Sequence, residues 1–199
     1  MIRRLAAFGA ACALAALPTG CTSPPSHLYN LSQTATVAPK ANQNSSNLYV
    51  VVGPVSIPPS VDLPQIVVRT TPNQVRVDEF NRWAAPLQSD ISHVVAGDLV
   101  ILLGTPRVGL YQQSQDADAD YRVAINVQTF ESVPGDAATL SALWTVRRVK
   151  DGKTQIGRTA LREPTHGNGY DALAAAHSRA LGRMSQDIAD AIRALNGAS

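Results

Sequence analysis

Residues 75–103 read VRVDEFNRWAAPLQSDISHVVAGDLVILL, and within them the chain changes from a strand pattern to a helix pattern. In the first part, apolar residues alternate with polar ones, which is typical of a half-buried strand. Beyond it, apolar residues recur every three or four positions: Leu87, Ile91, Val94, Val95, Leu99 and Leu102. This spacing predicts a helix over 86–103, with Pro86 in its first turn and Gly104 at its end.

Strand patterns lie on both sides of this helix. On the N-terminal side they predict a buried strand over 48–57 and a hairpin of 66–71 with 75–80. On the C-terminal side they predict strands over 107–112, 121–131, 140–150 and 154–162, the last two joined at Asp151-Gly152. A second amphipathic pattern predicts a closing helix over 171–196, which Gly197 is placed to end.

The order of strands, helix, strands and helix contains no internal repeat. It predicts an α/β fold of the α+β kind, in a single domain. We expect one mixed or antiparallel β-sheet with two long helices packed on it. The chain has 199 residues, of which 45% are hydrophobic, enough for one core of ordinary size.

The N-terminus has the three parts of a secretory signal peptide. Arg3 and Arg4 precede an uncharged stretch over 5–17, and small residues then lead to Cys21. Thirteen apolar residues span about 20 Å as a helix, which is short of a bilayer core. We therefore expect residues 1–20 to be removed as a lipoprotein signal peptide.

Cys21 is the expected site of lipidation. Thr19 and Gly20 precede it directly, as in a lipobox, although Pro18 stands where an apolar residue is usual. Cleavage would make Cys21 the N-terminus and the single thiol of the mature chain, carrying a diacylglycerol and an N-acyl chain. The alternative is an ordinary signal peptide followed by a chance cysteine. Thr22, rather than Asp, favours the outer over the inner membrane, by analogy with enterobacterial sorting.

The stretch after Cys21 is polar and almost uncharged, which indicates a flexible tether over 21–47. It is interrupted by the apolar residues of a possible short strand at 27–32. The folded domain is then 48–199. Its charges balance once Arg3 and Arg4 are removed, and only 16% of the chain is charged, so we expect no nucleic-acid partner.

Four features resemble functional motifs. Asp116, Asp118 and Asp120 alternate as in a calcium loop, but the glycine and glutamate of such a loop are missing. Residues 167–172 fit G-x-G-x-x-A, but no βαβ unit surrounds them. His177 lies on an apolar helical stripe and is expected in the core or an interface. These three features predict neither a metal site nor a cofactor.

The fourth feature is the group Asp90, Ser92 and His93, whose spacing on one helix could support hydrolysis. It leaves open the alternative of an envelope hydrolase acting on lipid or cell wall. Without the motifs that accompany such groups in hydrolases, we expect a protein that is not an enzyme and needs no cofactor.

Three stretches of the chain resemble one family. They are residues 53–58 (GPVSIP), 63–69 (LPQIVVR) and 80–87 (FNRWAAPL), the last being the most specific. In this order they are similar to the PqiC-like ABC-type transport auxiliary lipoproteins, and the resemblance covers the chain from Cys21 to about Leu195. The motif residues, which we expect to set the fold rather than to bind, are Pro54, Pro58, Arg82, Trp83, Pro86 and Leu87.

The resemblance implies a subunit of an intermembrane transport system for lipids or hydrophobic compounds in a Gram-negative envelope. The expected location is the periplasmic face of the outer membrane, where the lipid of Cys21 enters the inner leaflet. The implied partners are a periplasmic MCE-domain protein, for which this subunit is a docking component, and an inner-membrane transport subunit. A homo-oligomer stays possible, and a structural role in outer-membrane assembly is a further alternative.

Overall fold

The structure is a computed structural model that describes residues 25–36, 47–111 and 118–197. These residues form eight strands and two helices. In chain order they are β1 (His27–Tyr29), β2 (Val50–Ser56), β3 (Gln65–Thr71), β4 (Gln74–Trp83), α1 (Leu87–Leu103), β5 (Val108–Leu110), β6 (Tyr121–Val133), β7 (Ala137–Arg148), β8 (Thr154–Pro164) and α2 (Tyr170–Gly197).

The strands form two sheets. The larger sheet has the order β5-β2-β6-β7-β8, with β2 parallel to both neighbours and β6, β7 and β8 antiparallel in turn. The smaller sheet has the order β1-β4-β3, with β1 parallel and β3 antiparallel to β4.

The expectation of a single α+β domain with two long helices is confirmed, but the expectation of one sheet is wrong. β2 is flanked by β5 and β6 on its two sides, so it offers no edge to the hairpin of β3 and β4. That hairpin pairs with β1 instead. The predicted pairing of β7 with β8 is confirmed, although its connection spans 149–153 rather than two residues. There the Asp151 carboxylate accepts hydrogen bonds from the Arg148 guanidinium.

Both helices pack against one face of the larger sheet and against each other. The predicted apolar stripes are the faces that they bury. On α1 the fully buried members include Leu87, Ile91 and Leu99, and on α2 they include Leu181, Met184 and Ile188. Gly104 ends α1 in a left-handed conformation, as predicted, whereas Gly197 is still helical. No helix within the described ranges is long and apolar enough to cross a bilayer.

Polar contacts join the smaller sheet to the rest of the domain. Arg69 of β3 forms an ion pair with Glu131 of β6. Asp78 of β4 is buried and accepts a 2.6 Å hydrogen bond from the Tyr170 hydroxyl at the start of α2. Burial by itself raises the pKa of Asp78, but the bonds from Tyr170 and Asn81 outweigh it and lower the pKa to about 2. Asp78 therefore stays ionised and holds β4 against α2.

Residues 31–35, which we call the docked segment, lie between the two helices. The Leu31 amide donates to Asp90 on α1 at 2.9 Å, and the Thr34 and Ala35 amides donate to Asp98 at 3.1 and 3.0 Å. The segment continues from β1, which lies within the range 27–32 where the sequence indicates a short strand. Part of the expected tether thus packs on the domain.

A candidate binding cavity

A cavity of about 310 Å³ opens between β2, the first turns of α1 and the end of β5. The β2 wall is formed by residues 52–55, and the α1 wall by Pro86 and the polar residues that follow it. Tyr111, directly after β5, closes the third side and is 46% exposed. The cavity is open to solvent and combines apolar with hydrogen-bonding surface, as binding sites commonly do.

The β2 wall is shaped by an irregularity in the strand. The register between β2 and β6 shifts between Val52 and Val55, where one extra residue is accommodated. Gly53 adopts a φ of +120°, a conformation that side chains disfavour, and a Cβ at this position would lie 2.9 Å from the Cβ of Tyr111. Glycine therefore allows Tyr111 to approach β2, and the Tyr111 amide donates to the Val52 carbonyl at 3.0 Å.

The α1 wall carries the polar groups. The Gln88 side-chain amide donates to the Val55 carbonyl, and the Ser92 hydroxyl donates to the Gln88 carbonyl at 2.8 Å. His93 Nδ1 lies 2.8 Å from the Ser89 carbonyl. Because a carbonyl only accepts, Nδ1 is the protonated nitrogen in this arrangement. The Nε2 atom of His93 is then the nitrogen that can accept a hydrogen bond from a ligand.

The three candidate catalytic residues do not form a catalytic group. His93 Nδ1 donates to the Ser89 carbonyl, so Asp90 does not hold this nitrogen as the carboxylate of a catalytic triad does. Ser92 bonds to the backbone of its own helix. Asp90 binds the Leu31 amide of the docked segment, and its burial raises its pKa against the opposing effect of that bond. The geometry thus gives no support to hydrolysis by these residues.

The motif residues occupy different environments. Pro54 and Pro86 line the cavity from its two main walls. Trp83 and Leu87 are buried in the core. Arg82 donates from Nε to the Glu79 carbonyl at 3.1 Å, and the Pro58 carbonyl accepts from the Val61 amide. Their expected role in setting the fold stays a prediction, as does lipidation of Cys21, which lies outside the described residues.

The described residues of the other motif-like features have structural contacts. Asp120 accepts the Tyr49 amide at 2.8 Å, which fixes the start of β6. Asp116 lies outside the described residues, and those that are described contain no cluster of three metal-ligating side chains. In 167–172 the Gly169 carbonyl accepts the Leu173 amide, so these residues lead into α2. His177 is fully buried on α2.

Sequence reasoning did not find Gln88 and Tyr111 as cavity residues. Tyr111 follows β5, which is distant in sequence from β2, and only the parallel pairing of β2 with β5 brings the two together. One local signal existed: Gly53-Pro54 interrupts a run of β-branched residues, and glycine within a strand often marks a bulge or a close approach.

A family model described as "ABC-type transport auxiliary lipoprotein component" matches residues 29–189. The chain belongs to this family. The motifs in 53–87 predicted this family, and the match confirms the prediction. The description assigns the family an auxiliary role in ABC-type transport, and the lipoproteins of such systems are proteins of the cell envelope. No curated protein matches the chain.

Two solved structures show the same fold. A crystal structure of an uncharacterized protein is similar with a TM-score of 0.69 and 20% identity, over 85% of this chain and 99% of that one. The structure of XCC0632 from Xanthomonas campestris, a DUF330 protein, is similar with a TM-score of 0.66 and 23% identity, over 81% and 92% of the two chains. The PelC dodecamer from Paraburkholderia phytofirmans is more distant, with a TM-score of 0.38 and 12% identity over 79% and 97%.

Proposed function

We propose that this auxiliary lipoprotein is a non-catalytic subunit of an MCE/ABC-type system that moves lipids or other hydrophobic compounds between membranes. Acyl chains on Cys21 hold it at the periplasmic face of the outer membrane. From there it docks a periplasmic MCE-domain protein, while an inner-membrane subunit supplies the energy. The family match over residues 29–189 carries this proposal.

The cavity between β2 and α1 is the docking site that we assign to the MCE partner. Two motif residues that are distant in sequence, Pro54 and Pro86, both line this cavity. The exposed ring of Tyr111 stands at its margin, and tyrosine is among the residues that contribute most to protein interfaces. The hydroxyl and imidazole groups on α1 supply hydrogen bonds for a peptide segment of the partner.

Site-specific photo-cross-linking in cells tests this docking site. A benzophenone amino acid at Ser92 lies in the cavity wall and should capture an MCE-domain protein, identified by mass spectrometry. The matched control is the same amino acid at Arg183, whose side chain is 66% exposed on α2. We expect capture from position 92 only, and a several-fold loss when Tyr111→Ala is added.

Two results would contradict the proposal at different levels. Equal capture of the MCE-domain protein from both positions would move the docking surface away from the cavity. If neither position captures such a protein, although the subunit is present in the envelope, the MCE partnership itself is wrong.

Lipidation of Cys21 has a separate test. We expect Cys21→Ala to accumulate as an unacylated precursor, because the signal peptidase for lipoproteins acts only after the thiol is acylated. Cys12→Ala, within the expected signal peptide, should be processed like the unchanged protein. The measurement is the intact mass of protein extracted from separated inner and outer membranes. A mature protein without acyl chains would refute lipidation, and acylated protein confined to the inner membrane would refute the outer-membrane location.

A further inference from the structure

The smaller sheet has one face that the domain covers only in part. Three apolar side chains are well exposed on its strands: Leu28 of β1 is 65% exposed, and Val75 and Val77 of β4 are 55% and 45% exposed. The opposite face packs inward, where Val68 and Trp83 are buried. Apolar side chains grouped on one surface of a soluble domain commonly mark a contact with a partner or a membrane.

Strand register places the exposed side chains on the same face. Directly paired residues point to the same side of a sheet, as do alternate residues of one strand. Val67 pairs with Val77, and Gln65, two residues before Val67, pairs with Arg82. Arg82 in turn pairs with Leu28. Arg69 pairs with Val75 and so lies on this side too, where its ion pair with Glu131 makes β6 one border of the surface. We call this surface, which carries Leu28, Val67, Val75, Val77 and Arg82, the outer face of the smaller sheet.

The direction of β1 brings the start of the mature chain to this sheet. β1 is parallel to β4, so its N-terminal end points towards Gln74 and the hairpin turn. Pro25 is the first described residue, and only four Cα–Cα steps separate it from Cys21. At 3.8 Å per step, Cys21 lies within about 15 Å of Pro25. An acylated Cys21 must therefore keep this end of the sheet close to the bilayer.

We propose that the outer face of the smaller sheet lies against the phospholipid headgroups of the membrane that holds the anchor. Leu28, Val75 and Val77 enter the interface between headgroups and acyl chains, and Arg82 meets the anionic headgroups. This inference rests on the lipidation of Cys21 in the proposed function. It goes further by fixing which side of the domain faces the membrane.

The short connection favours a membrane over a protein on this face. A tether of 26 residues would allow the domain to turn in any direction, but β1 and the docked segment attach the chain to the domain soon after Pro25. Since two acyl chains already give stable anchoring, the outer face sets orientation rather than membrane affinity. The cavity between β2 and α1 belongs to other elements and remains available to a periplasmic partner.

Fluorescence in vesicles tests the orientation. The acylated mature protein is reconstituted in vesicles of phosphatidylethanolamine and phosphatidylglycerol, with a single NBD label on Val77→Cys. The control is Ile156→Cys, because Ile156 is a strand residue with an apolar side chain that is 71% exposed. Ile156 is also far from the smaller sheet. The contact between Arg69 of that sheet and Glu131 is level with Arg162 of β8, and Ile156 lies six residues from Arg162 along this strand. At about 3.3 Å per residue, this separation is about 20 Å.

We expect the label at Val77 to shift to the blue on reconstitution and to be quenched by a shallow spin-labelled lipid several-fold more than the label at Ile156. Inserting ten Gly and Ser residues between Thr22 and Ser23 should remove most of that difference, because the longer connection no longer restricts the domain. Equal quenching at the two positions would overturn the inference, as would a Val77 label that is shielded in native membranes but not in pure lipid, which would assign the face to a protein partner.

The same samples separate this inference from the proposal on which it rests. Their intact mass shows whether Cys21 carries acyl chains. Unacylated protein would contradict the proposed lipidation, and the vesicle result would then be explained by the missing anchor. Acylated protein with an unquenched Val77 label would contradict the membrane-facing surface alone.

Discussion

Replacing His177 with glutamine is expected to remove most of the sensitivity of the fold to mild acid. The imidazole is fully buried on α2, with Nε2 2.8 Å from the Ser132 hydroxyl, and it stacks on Phe130 with 3.7 Å between ring centroids. Its Nδ1 atom has no hydrogen-bond partner among the described residues. Burial lowers the pKa of His177 to about 3, because no group compensates a charge there.

Acid destabilises the fold because the pKa of His177 differs between the folded and the unfolded protein. In the unfolded chain a histidine has a pKa of about 6.5. Between pH 6.5 and about 3 the unfolded state therefore binds one more proton than the folded state, and stability falls as the pH falls. Each pH unit costs about 1.4 kcal/mol, so acidification to pH 4 costs about 3 kcal/mol. Glutamine at this position does not titrate.

Urea unfolding at several pH values between 7 and 4 measures this effect. The free energy of unfolding should fall less steeply for His177→Gln than for the unchanged protein, whatever the stability of the variant at pH 7. His166→Gln, which removes an exposed imidazole, and Ser132→Ala, which keeps His177, should both retain the steep fall. Parallel curves for His177→Gln and the unchanged protein would show that the buried imidazole is not the cause.

The long periodic segments could be predicted from the sequence because each buries one continuous stripe. The apolar stripes of α1 and α2 are of this kind, and so is the alternation in β6. The strand that the hairpin of β3 and β4 pairs with could not be predicted in the same way. It depends on which strands already occupy the edges of β2, and this information is not local in sequence.

The docked segment and the cavity escaped prediction for related reasons. Leu31 is the only buried apolar residue in 31–35, and backbone amides bound to Asp90 and Asp98 hold most of the segment. Backbone groups are the same in every sequence, so the pattern of side chains carries no signal for this docking. The cavity likewise forms because a bulge in β2 meets Tyr111, which follows a strand more than fifty residues away.

Replacing Gly182 with leucine is expected to release the docked segment from the helices. A Cβ on Gly182 would lie 2.0 Å from the Thr34 hydroxyl and 3.3 Å from its Cβ, so a side chain at 182 and the segment cannot occupy the same space. Release breaks the bonds from Leu31, Thr34 and Ala35 to two carboxylates, and it exposes Leu31. Together these losses destabilise the fold by about 3 kcal/mol.

A second glycine of α2 supplies the matched control for this substitution. Nothing lies within 4 Å of a Cβ on Gly197, so Gly197→Leu should leave stability unchanged or raise it slightly, since leucine favours a helix more than glycine does. Hydrogen exchange at the Leu31, Thr34 and Ala35 amides should become fast in Gly182→Leu and stay slow in Gly197→Leu. Slow exchange in both variants would contradict the docking of this segment. In acylated protein β1, which precedes the released residues, still pairs with β4, so Gly182→Leu should leave the quenching at Val77 intact, unlike the inserted linker.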